Sequence, residues 1–210
     1  MGSLGEGLRD RRRRETRREI HVVALRLARE HGFHKVTVEM ISAGVGISPR
    51  TFFNYFPSKE SAVVEQPPAE LSPDLVARFV EGGPGRPRDV LTDLTRLLIE
   101  QLAQDPPERS EVHDVFELAH SAPTVFAALM ARFDASRLTL AATVAQRMDP
   151  DTDEQVPDLI ASVAMTAVRS GMERWSQDTA DDRSDSPVLY VQRAVTVLED
   201  LLAPGTHDFT

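Results

Sequence analysis

The sequence predicts an all-α protein with an N-terminal three-helix helix-turn-helix head and a C-terminal helical bundle. Three observations lead to this fold class. Apolar residues recur at helical spacing through most of the 210 residues, and no segment alternates polar and apolar residues as a strand does. Proline and glycine clusters divide this pattern into separate helices. The stretch from Thr37 to Glu60 carries the signals for two short helices around a tight turn.

The first helix is expected to begin near Arg14 and to end at Gly32, with an apolar face that braces the next two helices. Thr37 and Ser48 are residue types that cap helix N-termini, and a proline follows Ser48 at the first helical position. Gly46 separates the two short helices where a left-handed backbone is expected. This order predicts a second short helix that can enter the major groove of DNA.

Charge divides the chain into a basic head and an acidic remainder. Residues 1–60 contain 12 lysine and arginine residues against 7 acidic ones, a net charge of +5, whereas residues 61–210 carry −14, which gives −9 for the whole chain. Positive charge confined to one part is typical of a modular DNA-binding protein, because only the surface that faces phosphate needs it. The arginine run from Arg9 to Arg18 is expected to contact the DNA backbone; the alternative is a solvated helix start.

The head supplies the predicted DNA contacts. Arg50 and Asn54 can make bidentate hydrogen bonds to guanine and adenine edges. Hydroxyl groups and other cations of the head suit phosphate oxygens, which fix the register on DNA but do not read sequence. Phe52 and Phe56 are expected in the core. The alternative for this segment is a helix-turn-helix used only for packing. The predicted DNA-binding residues are Arg13, Arg14, Thr37, Ser48, Arg50, Thr51, Asn54, Tyr55 and Lys59.

The order of these residues resembles the TetR-type transcriptional repressors. Arg50 stands where that family usually has a small residue, Phe53 where it usually has tyrosine, and Tyr55 where it often has histidine. The resemblance implies a ligand-responsive repressor that dimerises through its last two long helices and binds a palindromic operator in double-stranded DNA. The matching residues are Ile41-Ser42, Val45-Gly46-Ile47-Ser48, Thr51 and Phe56-Pro57-Ser58-Lys59-Glu60.

The remainder of the chain is expected to be helical up to its last residues. Broad apolar stripes on the last two helices predict surface that a second copy covers, hence a homodimer. The expected domains are a disordered basic arm at residues 1–12, the helix-turn-helix domain at 13–60, and a ligand-binding and dimerisation domain at 61–205. After a short helix that contains Leu75, the expected helices are 89–104, 109–120, 123–148, 157–177 and a last one after the polar loop at 176–186.

Large side chains of the third domain are candidates to line a small-molecule site, although each can equally be part of the core. An apolar cavity with few polar groups favours a hydrophobic or amphipathic ligand such as an acyl chain. The resemblance implies that this ligand is an inducer, which releases the protein from its operator. The candidate ligand-binding residues are Phe79, Phe116, His120, Phe126, Met130 and Trp175.

A second interpretation is a helical metal- or small-molecule-processing protein with a vestigial helix-turn-helix. It depends on His113, Glu117 and His120, which share one helix face and include the Glu-x-x-His spacing of di-iron bundles. No second Glu-x-x-His occurs, so an exposed face or a polar lining is favoured over a metal site. The chain has no cysteine and no recognised catalytic motif. We therefore expect neither a cofactor nor enzymatic activity.

Targeting and membrane signals point to a cytoplasmic protein. The basic residues near the N-terminus are not followed by the apolar run of a signal peptide. No uninterrupted apolar segment approaches the ~18 residues that a membrane span needs. We expect a cytoplasmic location and no membrane partner.

Overall fold

The computed structural model describes residues 3–65, 71–178 and 186–203. Within these residues the secondary structure is helical and contains no strand, which confirms the all-α fold class. The helices of this part are α1 Ser3–His31, α2 Val38–Val45, α3 Pro49–Phe53, α4 Lys59–Val63, α5 Pro73–Glu81, α6 Pro87–Gln104, α7 Arg109–Ser121, α8 Pro123–Ala145, α9 Gln155–Gln177 and α10 Pro187–Leu201.

The chain forms two compact units. The first unit comprises Met1–Pro68 and Ser110–Arg132, and the second comprises Ala69–Arg109 and Phe133–Thr210. Helix α8 therefore begins in the first unit and ends in the second. The first unit contains the helix-turn-helix together with a segment that lies much later in the sequence. None of the helices in the described residues has the length and apolar character needed to cross a membrane.

Local capping explains the short helices of the first unit. The Thr37 hydroxyl accepts a hydrogen bond from the Met40 N–H at 3.2 Å, and the Ser48 hydroxyl accepts one from the Thr51 N–H at 3.0 Å. Gly46 ends α2 with a left-handed backbone, φ +78°, in which a side chain would be strained. These contacts confirm the capping roles that the sequence predicts for these three residues.

The core of the first unit is small and aromatic. Phe52 and Phe56 are completely buried, as predicted, and their ring centroids lie 5.9 Å apart. Ile20 of α1 and Ile41 of α2 are also completely buried. Helix α1 therefore packs against α2 and α4 through side chains that recur at helical spacing along it, and α3 packs against α2.

Helix boundaries differ from the sequence predictions by one or two residues at α6, α7 and α9, and by more at the start of α1 and the end of α8. Helix α1 begins at Ser3, so residues 3–12, expected to be part of a disordered arm, are helical in the structure. Arginine is a good helix former, and Arg11 pairs with Glu15 one turn later at 2.9 Å. Helix α8 ends at Ala145 and not at Met148. Residues 146–148, which the sequence predicts to be helical, form turns instead. Pro150 follows shortly after them and disfavours helical geometry at Asp149.

The second unit has its own core. Buried side chains from α5, α6, α8 and α9 form one apolar cluster. Helices α9 and α10 cross closely at Gly171, where an added Cβ would lie 2.6 Å from the Val191 Cα atom. The members of the cluster are Leu75, Phe79, Val90, Leu94, Leu97, Leu140, Val144, Ile160, Ala161 and Ala164.

Candidate functional site

Helix α3 presents one polar face and one buried face. Arg50 and Asn54 are exposed and Thr51 is half-buried, whereas Phe52 on the opposite face is completely buried. Because the core fixes Phe52, the direction in which Arg50 and Asn54 project is fixed as well. The structure thus places the two predicted base-reading side chains together on one exposed surface.

Three residues with hydroxyl groups, Thr37, Ser48 and Tyr55, lie at the ends of the short helices α2 and α3. Ser48 is exposed, and its hydroxyl lies 2.8 Å from the Thr51 hydroxyl. Thr37 is exposed at the start of α2, and Tyr55 is half-buried just after α3. Each of these hydroxyls has the donor capacity that a phosphate contact requires.

Lys59 has a role inside the first unit that sequence reasoning missed. Its ammonium group donates to the Val36 carbonyl at 2.7 Å and to the Phe33 carbonyl at 3.2 Å. It also lies 4.5 Å from the centre of the Phe33 ring. Two of its three donors therefore hold the turn between α1 and α2, and one donor remains beyond these two hydrogen bonds for an outside oxygen.

The arginine run of α1 divides into two groups. Arg13 and Arg14 are exposed on the helix surface. Arg17 instead donates to both carboxylate oxygens of Glu65, at 2.5 and 2.9 Å, and Arg18 donates to both oxygens of Glu111, at 2.6 and 2.7 Å. Of these four arginines, Arg13 and Arg14 are the ones whose guanidinium groups are available to DNA, because Arg17 and Arg18 are bound by carboxylates.

Glu65 joins three separate parts of the first unit. Its carboxylate binds Arg17 of α1 and lies 3.5 Å from the Arg132 guanidinium of α8. Arg17 also donates to the Tyr55 carbonyl at 2.9 Å and stacks over the Phe56 ring. Its hydrogen bond with Glu65 raises the pKa of Arg17, whereas burial lowers the pKa of Arg132, which the Glu65 charge opposes. No sequence signal could reveal this cluster, because its members are far apart in the chain.

His21 is a buried polar side chain between α1 and α4. It is completely buried, and its Nδ1 atom lies 2.8 Å from the Ala62 carbonyl oxygen, to which the neutral ring donates. Its Nε2 atom has no hydrogen-bond partner within the described residues. Burial lowers the pKa of His21, although the hydrogen bond to Ala62 and the charges of Glu111 and Glu65 oppose this effect.

The predicted ligand-binding residues are divided between the two units. In the first unit, Phe116 is buried and Met130 is half-buried, whereas His120 is exposed and Phe126 is 50% exposed. In the second unit, Phe79 and Trp175 are buried.

The two candidate ligand-binding residues of the second unit differ in their surroundings. Phe79 belongs to the apolar core cluster. The guanidinium of Arg109 lies 5.2 Å from the centre of the Trp175 ring and donates to the Asp178 carbonyl. Trp175 therefore borders a polar group, whereas Phe79 packs in the core.

The proposed metal-ligating residues lie on the surface of α7. His113, Glu117 and His120 are all exposed. Within the described part of the chain, no group of three or more histidine, aspartate, glutamate or cysteine side chains is arranged to hold a metal ion. The acidic residues Glu111 and Asp114 of the same helix bind Arg18 and Arg29 of α1.

Two open grooves lie among the described residues, one in each unit. The groove of the first unit, about 540 Å³, is lined mainly by charged side chains of α1 and α7, among them Arg26, Arg29 and Asp114. The groove of the second unit, about 810 Å³, runs along α9 and α10 and is lined mostly by small and apolar residues, together with Arg174 and Arg193. Leu189, which is 44% exposed, borders it. The second groove is the more apolar of the two.

Comparison with known proteins gives two family matches and several relatives. The model of bacterial regulatory proteins, tetR family, matches residues 20–65, and the model of the MftR C-terminal domain matches residues 88–203. The HTH-type transcriptional regulator TcmR of Streptomyces glaucescens is 28% identical over 175 residues, which cover 81% of this chain and 77% of TcmR.

Two solved structures are similar to this chain at low identity. FadR of Thermus thermophilus, described as a TetR family transcriptional repressor in complex with lauroyl-CoA, is 22% identical and has a TM-score of 0.46, with 92% of this chain and 98% of that chain covered. The fatty acid degradation regulator FadR of Bacillus halodurans is 18% identical and has a TM-score of 0.45, with 90% and 97% covered.

Proposed function

Because this chain belongs to the tetR family of bacterial regulatory proteins and is thus a DNA-binding transcriptional regulator, we propose that it represses transcription from a palindromic operator until a small-molecule inducer releases it. The observation that carries this proposal is the geometry of α3. Its inner face is anchored by the completely buried Phe52, and Arg50 and Asn54 are exposed on the other side. A helix held by the core that exposes two side chains capable of bidentate hydrogen bonds is suited to base recognition.

The other DNA contacts surround α3. We assign phosphate contacts to the exposed and half-buried hydroxyls and cations around α3 and on α1, because a net charge of +5 on residues 1–60 attracts the DNA backbone. Lys59 takes part through the donor that its two carbonyl contacts leave over. The proposed phosphate-contacting residues are Arg13, Arg14, Thr37, Ser48, Thr51, Tyr55 and Lys59.

A homodimer supplies the second head. The groove along α9 and α10 is bordered by Leu189, Val197 and Leu201, whose exposed fractions are 44%, 58% and 76%. A second copy that covers this surface removes these apolar side chains from water. Two heads related by a two-fold axis bind half-sites about one helical turn, or a multiple of it, apart. The dimer acts in the cytoplasm, where its operator lies.

The inducer is proposed to be hydrophobic or amphipathic, such as an acyl compound. This choice is supported by the buried aromatic side chains of Phe79 and Trp175, the candidate ligand-binding residues of the second unit. The inducer releases DNA only to the extent that it binds the DNA-free state more tightly than the DNA-bound state.

Selection of random duplex DNA by the purified protein tests the proposal. We expect an enriched palindrome, whose affinity, measured by titration at two salt concentrations, falls as salt rises because phosphate contacts release counterions. The enriched sequence then serves to screen acyl compounds for release of the protein. If the folded protein enriches no sequence, the repressor proposal is wrong.

A further inference from the structure

Phe53 is an exposed aromatic residue in the middle of the DNA-facing surface. It is 55% exposed, whereas its neighbour Phe52 is completely buried. Arg50 precedes it by three residues and Asn54 follows it, so that all three share the exposed side of α3. The ring leaves apolar area in contact with water, and covering that area when DNA binds is favourable.

The ring of Phe53 is held by the core beneath it. It contacts the Phe52 ring edge to face, with centroids 5.5 Å apart and an angle of 90° between the planes. The Phe52 ring is itself packed against Phe56. Phe53 is therefore anchored at its base, and its outer edge projects beside Arg50.

The chemistry of phenylalanine limits what this edge can contact on DNA. The ring carries no hydrogen-bond donor, so it cannot bind a phosphate oxygen as a hydroxyl does. In the major groove the one apolar feature of the base pairs is the C5-methyl group of thymine. The basic charge of the head indicates that the covering partner is DNA and not an apolar protein surface.

We propose that Phe53 reads a thymine by packing against its C5-methyl group, and that this thymine lies next to the base pair that Arg50 reads. Side chains one helical turn apart have Cβ atoms about 5–6 Å apart, which corresponds to one or two base-pair steps at about 3.4 Å each. The inference rests on the proposed function, since it specifies part of the operator sequence.

Replacement of thymine by deoxyuridine tests this contact. Deoxyuridine pairs as thymine does but lacks the methyl group. Each thymine of the selected operator is replaced in turn, in one half-site or in both, and the affinity is measured by titration. Burial of one such carbon is worth about 0.8 kcal/mol, so we expect about fourfold weaker binding for one half-site and about fifteenfold for both. This loss should occur at the thymine beside the Arg50 position.

Variants at position 53 separate this contact from other effects of the methyl group. Phe53→Ala should bind the thymine and deoxyuridine operators with equal affinity, whereas Phe53→Leu should keep part of the preference for thymine. Because Phe53 is exposed, both variants are expected to melt near the temperature of the unaltered protein. As a control, Arg13→Ala should weaken binding to both operators by the same factor, since Arg13 is far from the ring in sequence and is assigned to phosphate.

Three outcomes decide the matter. A deoxyuridine effect that disappears in Phe53→Ala establishes the contact. A deoxyuridine effect of the same size in Phe53→Ala, or no effect at any thymine, overturns it and leaves the repressor proposal intact. Failure to enrich any operator overturns the repressor proposal itself, because no operator then exists for Phe53 to read.

Discussion

The arginines of the first helix perform different tasks according to what each one faces. Arg17 and Arg18 are bound by carboxylates of the same unit, whereas Arg13 and Arg14 are exposed. The residue type is the same in all four positions, and the run in the sequence gives no indication of where it divides. The acidic partners, Glu65 and Glu111, come close only in the folded unit.

At the residue scale, Arg50 and Arg13 should differ in their effect on DNA binding. Arg50→Ala is expected to lose about 1–3 kcal/mol of discrimination at one base pair, because bidentate contact with a base edge is lost. Arg13→Ala should weaken binding to all sequences alike and reduce the salt slope by about one. Titration of operators changed at single positions distinguishes the two. A uniform loss for Arg50→Ala would make Arg50 a phosphate contact.

His21 should make the stability of the protein fall in mild acid. Burial holds its pKa in the folded protein below the ordinary value of 6.5, so the unfolded chain binds the proton first as pH falls. The stability that neutral His21 contributes is fully present above about pH 6.5. It is lost below that pH, by at most about 1.4 kcal/mol per pH unit.

Chemical denaturation at pH 7.5 and at pH 5.5 measures this effect. His21→Gln should be less stable at the higher pH and should lose less free energy of unfolding between the two values. His34→Gln serves as the control, because His34 is exposed and should leave the difference between the two pH values unchanged. An identical pH dependence in the protein and in His21→Gln would show that other groups cause the acid effect.

At the scale of helices, the sequence indicates local structure better than long-range pairing. The caps at Thr37 and Ser48 and the left-handed Gly46 depend on neighbouring residues, and all three were predictable. The start of α1 was not predictable from the sequence. A count of charges shows that its arginines repel one another, but it does not show that their helix propensity outweighs this repulsion. Residues 110–132 pack with the helix-turn-helix through ion pairs such as Arg18–Glu111, and no periodic pattern connects residues so far apart.

The same limit applies to the candidate site. Arg50 and Asn54 could be assigned because Phe52 and Phe56 mark the buried face of a short helix. The contacts of Lys59 with backbone carbonyls could not be predicted, because they depend on the path of the chain after α1.

The crossing of α9 and α10 should not tolerate a larger residue at position 171. A Cβ atom there would lie 2.6 Å from the Val191 Cα and 2.8 Å from its nitrogen, which are backbone atoms that cannot rotate away. Gly171→Ala is expected to lower the free energy of unfolding by about 1–3 kcal/mol through overpacking. Gly85→Ala is the control, since its nearest contact would be an ordinary 3.5 Å to a Val90 methyl group. Equal stability of the two variants, measured by denaturation, would contradict the close crossing.

The carboxylate of Glu65 should be more important for stability than a similar surface carboxylate. Its side chain is 11% exposed, and its removal takes away a carboxylate that both Arg17 and the largely buried Arg132 face. We expect Glu65→Ala to cost about 1.5–3 kcal/mol, the range for a lost hydrogen bond to a charged group. Glu15→Ala breaks only the exposed Arg11 pair and should cost less than about 1 kcal/mol. Thermal melts of both variants provide the comparison, and equal melting temperatures would contradict it.

At the scale of the whole molecule, dimerisation and DNA binding should be lost together. Val197→Lys places a charge in the groove of α9 and α10, where Val197 is 58% exposed and the described lining residues include Arg174 and Arg193 but no acidic side chain. Because burial of an unpaired charge is costly, we expect a monomer in sedimentation experiments and weak operator binding. Leu138→Lys changes a residue of α8 that is 54% exposed and lies outside this groove, and this variant should remain dimeric. A dimeric Val197→Lys would place the contact surface elsewhere.

The discontinuity of the first unit restricts how this regulator can be recombined with others. A chimera that takes only residues 1–68 would separate Arg18 and Arg29 from Glu111 and Asp114, and Glu65 from Arg132. The boundaries at which segments can be exchanged therefore lie near residues 68, 110 and 132. The DNA-binding module has to be transferred as two pieces of chain. A charge reversal at Glu111 or Asp114 therefore has to be matched by one at Arg18 or Arg29 if the transplanted module is to keep its ion pairs.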